Sequence, residues 1–250
     1  MMNAVTVNRL YEMKLSSMAE FLRQQAETPG IDEMLFEERF GLLIDAVWAH
    51  RRSKQLNGLI KNANLSIPNA ALENIEYHAD RQLDKAQITR LGTCNYIAEK
   101  RNILILGATG AGKSYLSCAF GVAACRNFYT VKYIRLPELL NDMALAHCNG
   151  TYQTLMKQYK KFSLLILDEW LLTPLSQNEA RDLLEIIEAR HSQSSTIFSS
   201  QFAPEGWHSK IGEETLADAI LDRIIHVSYI ITISGKDSMR KRKGIMEEKK

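Results

Sequence analysis

The sequence predicts an α/β fold: a five-stranded parallel sheet between helices, preceded by a small all-α module. Three observations predict it. Beyond about residue 100 five short aliphatic runs alternate with helix-patterned stretches, a glycine-rich loop follows the first run, and the first 65 residues carry helical signals only.

The N-terminal module opens with Ser17 and Glu20 at the spacing of a capping box, in which hydroxyl and carboxylate each satisfy an orphan backbone N–H. Pro29-Gly30 then punctuates the chain. After Asp32, the residues Phe36, Phe40, Leu43 and Val47 recur at i, i+4, i+7 and i+11, an apolar stripe that runs into His50-Arg51-Arg52-Ser53-Lys54. The pattern changes at Ser66-Ile67-Pro68. This divides the chain into a helical module over 1–66, a core over 67–235 and a basic tail over 236–250.

In the core the expected strands are 102–106, 131–135, 164–167, 196–199 and 229–233, each short and aliphatic. Helices are expected at 113–126, at 137–147 with Pro137 suited to a first helical position, and at 177–191. Short apolar strands separated by helices imply parallel pairing with both faces covered.

Composition bounds the function. The 250 residues are 46% hydrophobic and 24% charged, an ordinary globular balance, and 31 basic against 29 acidic side chains exclude a uniformly basic or acidic chain. The near-neutral total is a cancellation. Residues 1–45 hold four basic and eight acidic side chains, 46–72 four basic and none acidic, 73–235 sixteen and eighteen, and 236–250 seven and three. No apolar run approaches the roughly 18 residues that span a bilayer, and the start lacks the pattern of a signal peptide. Cys94, Cys118, Cys125 and Cys148 form no CxxC pair, so a reduced cytoplasm and no membrane association are expected.

Directly after the first strand stand Gly107, Ala108, Thr109, Gly110, Ala111, Gly112, Lys113 and Ser114, which satisfy GxxxxGK[ST]. In such a loop backbone N–H groups turn inward at phosphate oxygens and the next helix presents its positive end. Lys113 is expected at the β and γ phosphates of ATP, Ser114 on Mg²⁺, and Tyr115 among the nucleotide contacts. A buried strand ending in acids must complete the metal site, and Leu164-Leu165-Ile166-Leu167-Asp168-Glu169 supplies it: Asp168 for Mg²⁺, Glu169 to orient or deprotonate water. A kinase has no need of that glutamate, so the pair favours ATP hydrolysis over phosphorylation of a small molecule.

Other polar residues leave alternatives. Ser199, Ser200 and Gln201 follow the fourth strand, expected beside the acid-bearing strand, as γ-phosphate or water contacts or as a plain strand exit. Arg223 fits a surface ion pair with Asp218 or Asp222, or a functional arginine. His191, His208 and His226 lack metal-ligand spacing, and Trp170 and Trp207 read as packing residues.

With these pieces in order the chain resembles the IstB-like family of transposition helper ATPases, a branch of the AAA+ superfamily close to the DnaC helicase loaders. The resemblance runs from about residue 10 to 242. It rests on Tyr77, Arg81, Gln82, Leu83 and Asp84, the Gly107 loop, the strand ending in Asp168 and Glu169, Arg190, the Ser199-Ser200-Gln201 turn, Trp207, Leu216, Ala217, the run from Ala219 to Arg223, and Gly235 with Ser238, Met239 and Arg240. It departs from the family where Trp170 replaces a smaller residue, Gln201 an asparagine and Met239 a tyrosine, and where Lys236-Asp237 separates Gly235 from Ser238.

The resemblance implies an AAA+ P-loop core without room for a full C-terminal lid domain. It makes Lys113 and Ser114 the Walker A pair, Asp168 and Glu169 Walker B, Ser199 and Gln201 sensor 1, and Arg223 an arginine finger reaching the ATP of a neighbouring subunit. It implies an ATP-dependent protein that forms a homo-oligomer on duplex DNA and assists a transposase encoded with it; the nearest alternative is a replicative helicase loader. Arg51, Arg52, Lys54 and Lys61 then become candidate phosphate contacts, against the plainer reading of a solvated helix face. The basic tail offers the same contact, or disorder.

Overall fold

Three helices, α1 (Ala4–Glu12), α2 (Ser16–Glu27) and α3 (Phe36–Ala63), open the computed structural model, which describes residues 4–235 and Met239. The chain divides within α3 into two compact units, Met1–Gly58 and Leu59–Lys250. The sequence pattern put this boundary after residue 66. The earlier division has a packing cause: Ala63 and Leu65 are buried, Leu65 lies where a Cβ on Gly121 would meet it at 2.8 Å, and Ser66 Oγ stands 3.3 Å from Cys118 Sγ. The basic tail, with Ser238 and Arg240, lies outside the described residues apart from Met239.

In the N-terminal unit Val7, Ala19, Leu43 and Val47 are buried. The expected stripe is therefore half realised: Phe36 and Phe40 remain exposed and stack on each other with centroids 5.8 Å apart. The expected Ser17–Glu20 box does not form, because α2 starts at Ser16 with Leu15 as its N-cap and no side-chain cap bond. Ser17 is thus already inside the first turn.

The second unit begins with α4 (Lys85–Gly92), capped by Asp84, and α5 (Asn95–Ala98). Strand β1 (Asn102–Gly107), α6 (Lys113–Arg126), β2 (Val131–Arg135), α7 (Leu136–Cys148) and α8 (Tyr152–Lys161) follow. The remainder is β3 (Leu164–Asp168), α9 (Gln177–Arg190), β4 (Ser195–Ser200), α10 (Trp207–Ile211), α11 (Glu214–Ile225) and β5 (Ser228–Ile233). Among the described residues the five strands form one sheet in the order β2-β3-β4-β1-β5, with every pair parallel.

The central strands β1, β3 and β4 are buried almost throughout, as strands covered on both faces must be. Leu104, Leu106, Leu165, Leu167 and Phe198 join α7 to α11 in one apolar core. Helix α6 lies against the other face, where Gly121 permits the approach: a Cβ there would stand 2.9 Å from Ile166 Cδ1. Parallel pairing brings the ends of all five strands, among them Gly107, Arg135, Asp168 and Ser200, to one edge of the sheet. Among the described residues no helix is long and apolar enough to cross a membrane.

Candidate functional site

At that edge the loop after β1 turns back into α6. A side chain at Gly107 would collide with Ile233 O at 2.6 Å, and Gly112, the N-cap of α6, has φ 96, a left-handed backbone that suits glycine. Lys113 is 9% exposed and donates from Nζ to Gly107 O at 2.8 Å and Ala108 O at 3.0 Å. Burial lowers its pKa while the nearby Asp168 carboxylate pulls the other way, so the ammonium sits in a desolvated position facing a carboxylate.

A cavity of about 340 Å³ opens against this loop, lined by Lys113, Ser114 and Tyr115 on one side and by Asn74, Ile75 and Glu76 on the other. The volume suits a nucleotide-sized ligand. Tyr115 shows its ring to the cavity while its hydroxyl is tied to the Ala71 backbone at 3.3 Å.

Arg81, for which the sequence suggested no role, connects the two sides. It is 7% exposed, donates to Glu76 O at 2.6 Å and to Ala111 O at 2.9 Å, and its own carbonyl accepts from Ser234 N. A buried guanidinium spent on loop carbonyls fixes the loop's shape. Met239 N also donates to Gly110 O at 2.9 Å.

The acids stand one strand further away than adjacency to β1 would put them, because β4 lies between β1 and β3. Asp168 is 4% exposed, and both its oxygens are engaged: Oδ1 accepts from Glu169 N at 2.9 Å, Oδ2 from Tyr133 O–H at 2.7 Å. Glu169 has φ 55, which turns its carboxylate out of the sheet to within 3.8 Å of Arg135 Nη1, an arginine also bonded to Glu138.

The Ser199-Ser200-Gln201 turn separates into three roles. Ser200 is structural, donating to Trp170 O and accepting from Trp207 Nε1, and both tryptophans are fully buried, as packing residues should be. Gln201 accepts from Thr109 Oγ1 of the loop at 2.7 Å. The Ser199 hydroxyl is buried without a hydrogen-bond partner among the described residues, and strand alternation puts it on the face of Ile197, Ile166 and Asp168.

Arg223 is not brought to this site. The end of α11 lies at the opposite edge of the sheet, in a cleft shared with Lys100, Asn102 and Thr196, and β1 alone separates the two edges by about 17 Å at ~3.3 Å per residue. Its Nη1 donates to Ala219 O, and Nη2 stands 3.5 Å from Glu188; Asp218 and Asp222 pair instead with His208 and His226.

The basic segment is divided as well. Arg51 and Lys54 line a polar cleft of about 310 Å³ together with Lys14, His50 and the start of α2 at Ser16 and Ser17. Among the described residues Glu20 is the single acid lining it. Arg52 instead lies over the Trp48 ring at 5.3 Å, and Lys61 falls in the second unit.

A phosphate-type loop at the end of one strand, acids at the end of the strand two positions away, and the order β2-β3-β4-β1-β5 define a P-loop nucleotide-binding domain of the AAA+ class. Within that class, residues 8–246 match the family described as IstB-like ATP binding protein, and the chain belongs to it. An insertion sequence ATP-binding protein of Sinorhizobium fredii is 37% identical over 238 residues, covering 95% of this chain and 97% of its own. An ATP-binding protein of insertion sequence IS1162 from Pseudomonas fluorescens is 38% identical over 201 residues, 80% of this chain and 87% of its own. Among solved structures, AMPPCP-bound DnaA from Aquifex aeolicus shares the fold with a TM-score of 0.58 at 20% identity, over 71% of this chain and 53% of that one. The DnaC helicase loader shares it with a TM-score of 0.56 at 17% identity, over 66% of this chain and 97% of that one.

Proposed function

We propose that the protein binds ATP with Mg²⁺, assembles with further copies of itself on duplex DNA and assists a transposase encoded with it, hydrolysis of ATP releasing the assembly. One observation carries the reading: a phosphate loop and the acids Asp168 and Glu169 meet at one sheet edge, in a chain whose relatives are ATP-binding proteins of insertion sequences. That context favours a transposition helper over a helicase loader.

Lys113 and the N–H groups of residues 107–114 would bind the phosphates, and Asn74 to Glu76 the nucleoside end. The residues fit Mg²⁺: Ser114 and Asp168 offer the hard oxygen ligands it prefers, and the unpartnered Ser199 hydroxyl marks a polar position beside Asp168. When bound, the ion would neutralise charge on the phosphates. Glu169 takes a proton from water as the water oxygen bonds to the γ phosphorus and the bond to the β–γ bridging oxygen breaks, leaving ADP. Gln201 and Thr109 hold the loop side of that space. Arg223, at the far edge, serves the ATP of a neighbouring copy. The cleft of Lys14, His50, Arg51 and Lys54 serves DNA phosphates.

Phosphate release measured with and without duplex DNA tests this reading. Wild-type turnover rises with DNA and the rise weakens steeply with salt. Glu169→Gln retains ATP but turns over about 10²-fold more slowly or worse, and Lys14→Glu/Lys54→Glu keeps the DNA-independent rate while losing the stimulation. Unreduced turnover in Glu169→Gln contradicts the role of the acid; turnover indifferent to DNA contradicts the DNA partner.

A further inference from the structure

Tyr133 lies on β2, 35 positions from Asp168 in sequence, and is 6% exposed. Its hydroxyl donates to Asp168 Oδ2 at 2.7 Å, while Asp168 Oδ1 accepts the Glu169 N–H at 2.9 Å. Each oxygen of the carboxylate thus holds one fixed donor, one on the neighbouring strand and one on the backbone of the next residue. A carboxylate pinned at both oxygens has lost its rotation about χ2, and the lone pairs left over point in set directions. Ser66, in the segment that leads from α3 into the core, stands 3.3 Å from Cys118 Sγ.

We propose that Tyr133 is a positioning residue for the metal carboxylate: by holding Asp168 Oδ2 it sets the affinity of the ATP site for Mg²⁺. The inference rests on the reading of Asp168 as the magnesium ligand. Two features favour it over packing alone. A phenylalanine would fill the same space, so packing does not require the hydroxyl. The hydroxyl is also, among the described residues, the one side-chain donor to Asp168, at 2.7 Å on Oδ2, the other oxygen being held by a backbone N–H. Groups that orient a metal-binding carboxylate affect metal affinity by about 10-fold to 100-fold when removed.

The test titrates Mg²⁺ against ATP binding, read by calorimetry on the full chain, with EDTA as the metal-free reference. In Tyr133→Phe, ATP affinity in EDTA stays at the wild-type value and the chain remains folded, whereas the Mg²⁺ concentration that gives half the gain in ATP affinity rises by about 10-fold or more. In an Asp168→Asn background the same substitution has no further effect on that midpoint. A folded Tyr133→Phe with an unchanged Mg²⁺ midpoint overturns the inference and leaves the site standing. If Asp168→Asn itself retains the wild-type Mg²⁺ response, the magnesium assignment fails and the inference with it.

Discussion

Glu169 shows how the fold aims a single side chain. Its left-handed backbone, at φ 55, costs a non-glycine residue about 1–2 kcal/mol, and the next residue offsets this: Trp170 N donates to Ser199 O at 2.8 Å and its ring is fully buried against Phe198 and Trp207. Trp170 is therefore an anchor for the bend. Lys113, Ser114, Asp168 and Glu169 were legible in the sequence because each belongs to a short motif. Tyr133 and the role of Arg81 were not, because their partners stand 35 and 30 positions away and only the fold brings them together. The cysteines give a residue-scale prediction. Cys148 is exposed, whereas burial pushes the Cys94 and Cys125 thiols up to about 11 and Cys118 upward. A thiol reagent at pH 8 should label one cysteine per native chain rapidly and all four after unfolding. Because the folded pKa values are raised, the unfolded chain ionises first. The stabilisation is present below about pH 8.5 and lost as pH rises toward 11. Denaturation midpoints at pH 8 and pH 10.5 should fall in that order.

At the scale of elements, strands and long apolar helices were legible to within a residue: α6 and β2 match the expected ranges, and β1, β3, β4 and β5 gain only end residues. Helix α8 escaped notice because its face is narrow, with Tyr152, Met156 and Tyr159 buried among polar and basic residues. Capping was legible as chemistry but not as position. Ser17 and Glu20 have the right spacing and form no box, whereas Ser176 and Glu179 form one at the start of α9, with Ser176 accepting from Glu179 N and the glutamate accepting from Ser176 N. The difference lies in where the chain enters the helix. Ser176 has an extended backbone just outside α9, while Ser17 is already helical. Ser176→Ala should therefore lose about 1 kcal/mol of stability in urea denaturation, and Ser17→Ala well under half that. Equal losses would mean that the box contributes nothing.

For the whole molecule, the net charge of +2 hid its division among segments, and the structure divides it again. Arg51 and Lys54 join Lys14, from the otherwise acidic first segment, in one cleft, while Arg52 and Lys61 go elsewhere. Counting charges along the chain could not make that distinction, since it depends on which helix start faces α3. The same holds for Arg223, which the structure sets at the sheet edge opposite the phosphate loop. An arginine there is useless to its own ATP, and the account requires a second copy of the chain to supply it. The most direct measurement is ATP hydrolysis by Arg223→Ala and Lys113→Ala chains, each alone and then mixed in equal amounts with duplex DNA. Each alone should fall by about 10³-fold or more, one lacking the arginine and the other the phosphate-binding lysine. On mixing, intact loops of the first meet arginines of the second, and a sizeable fraction of wild-type turnover should return. A mixture no more active than its parts would contradict the shared site, and with it the claim that hydrolysis belongs to the assembly rather than to the single chain.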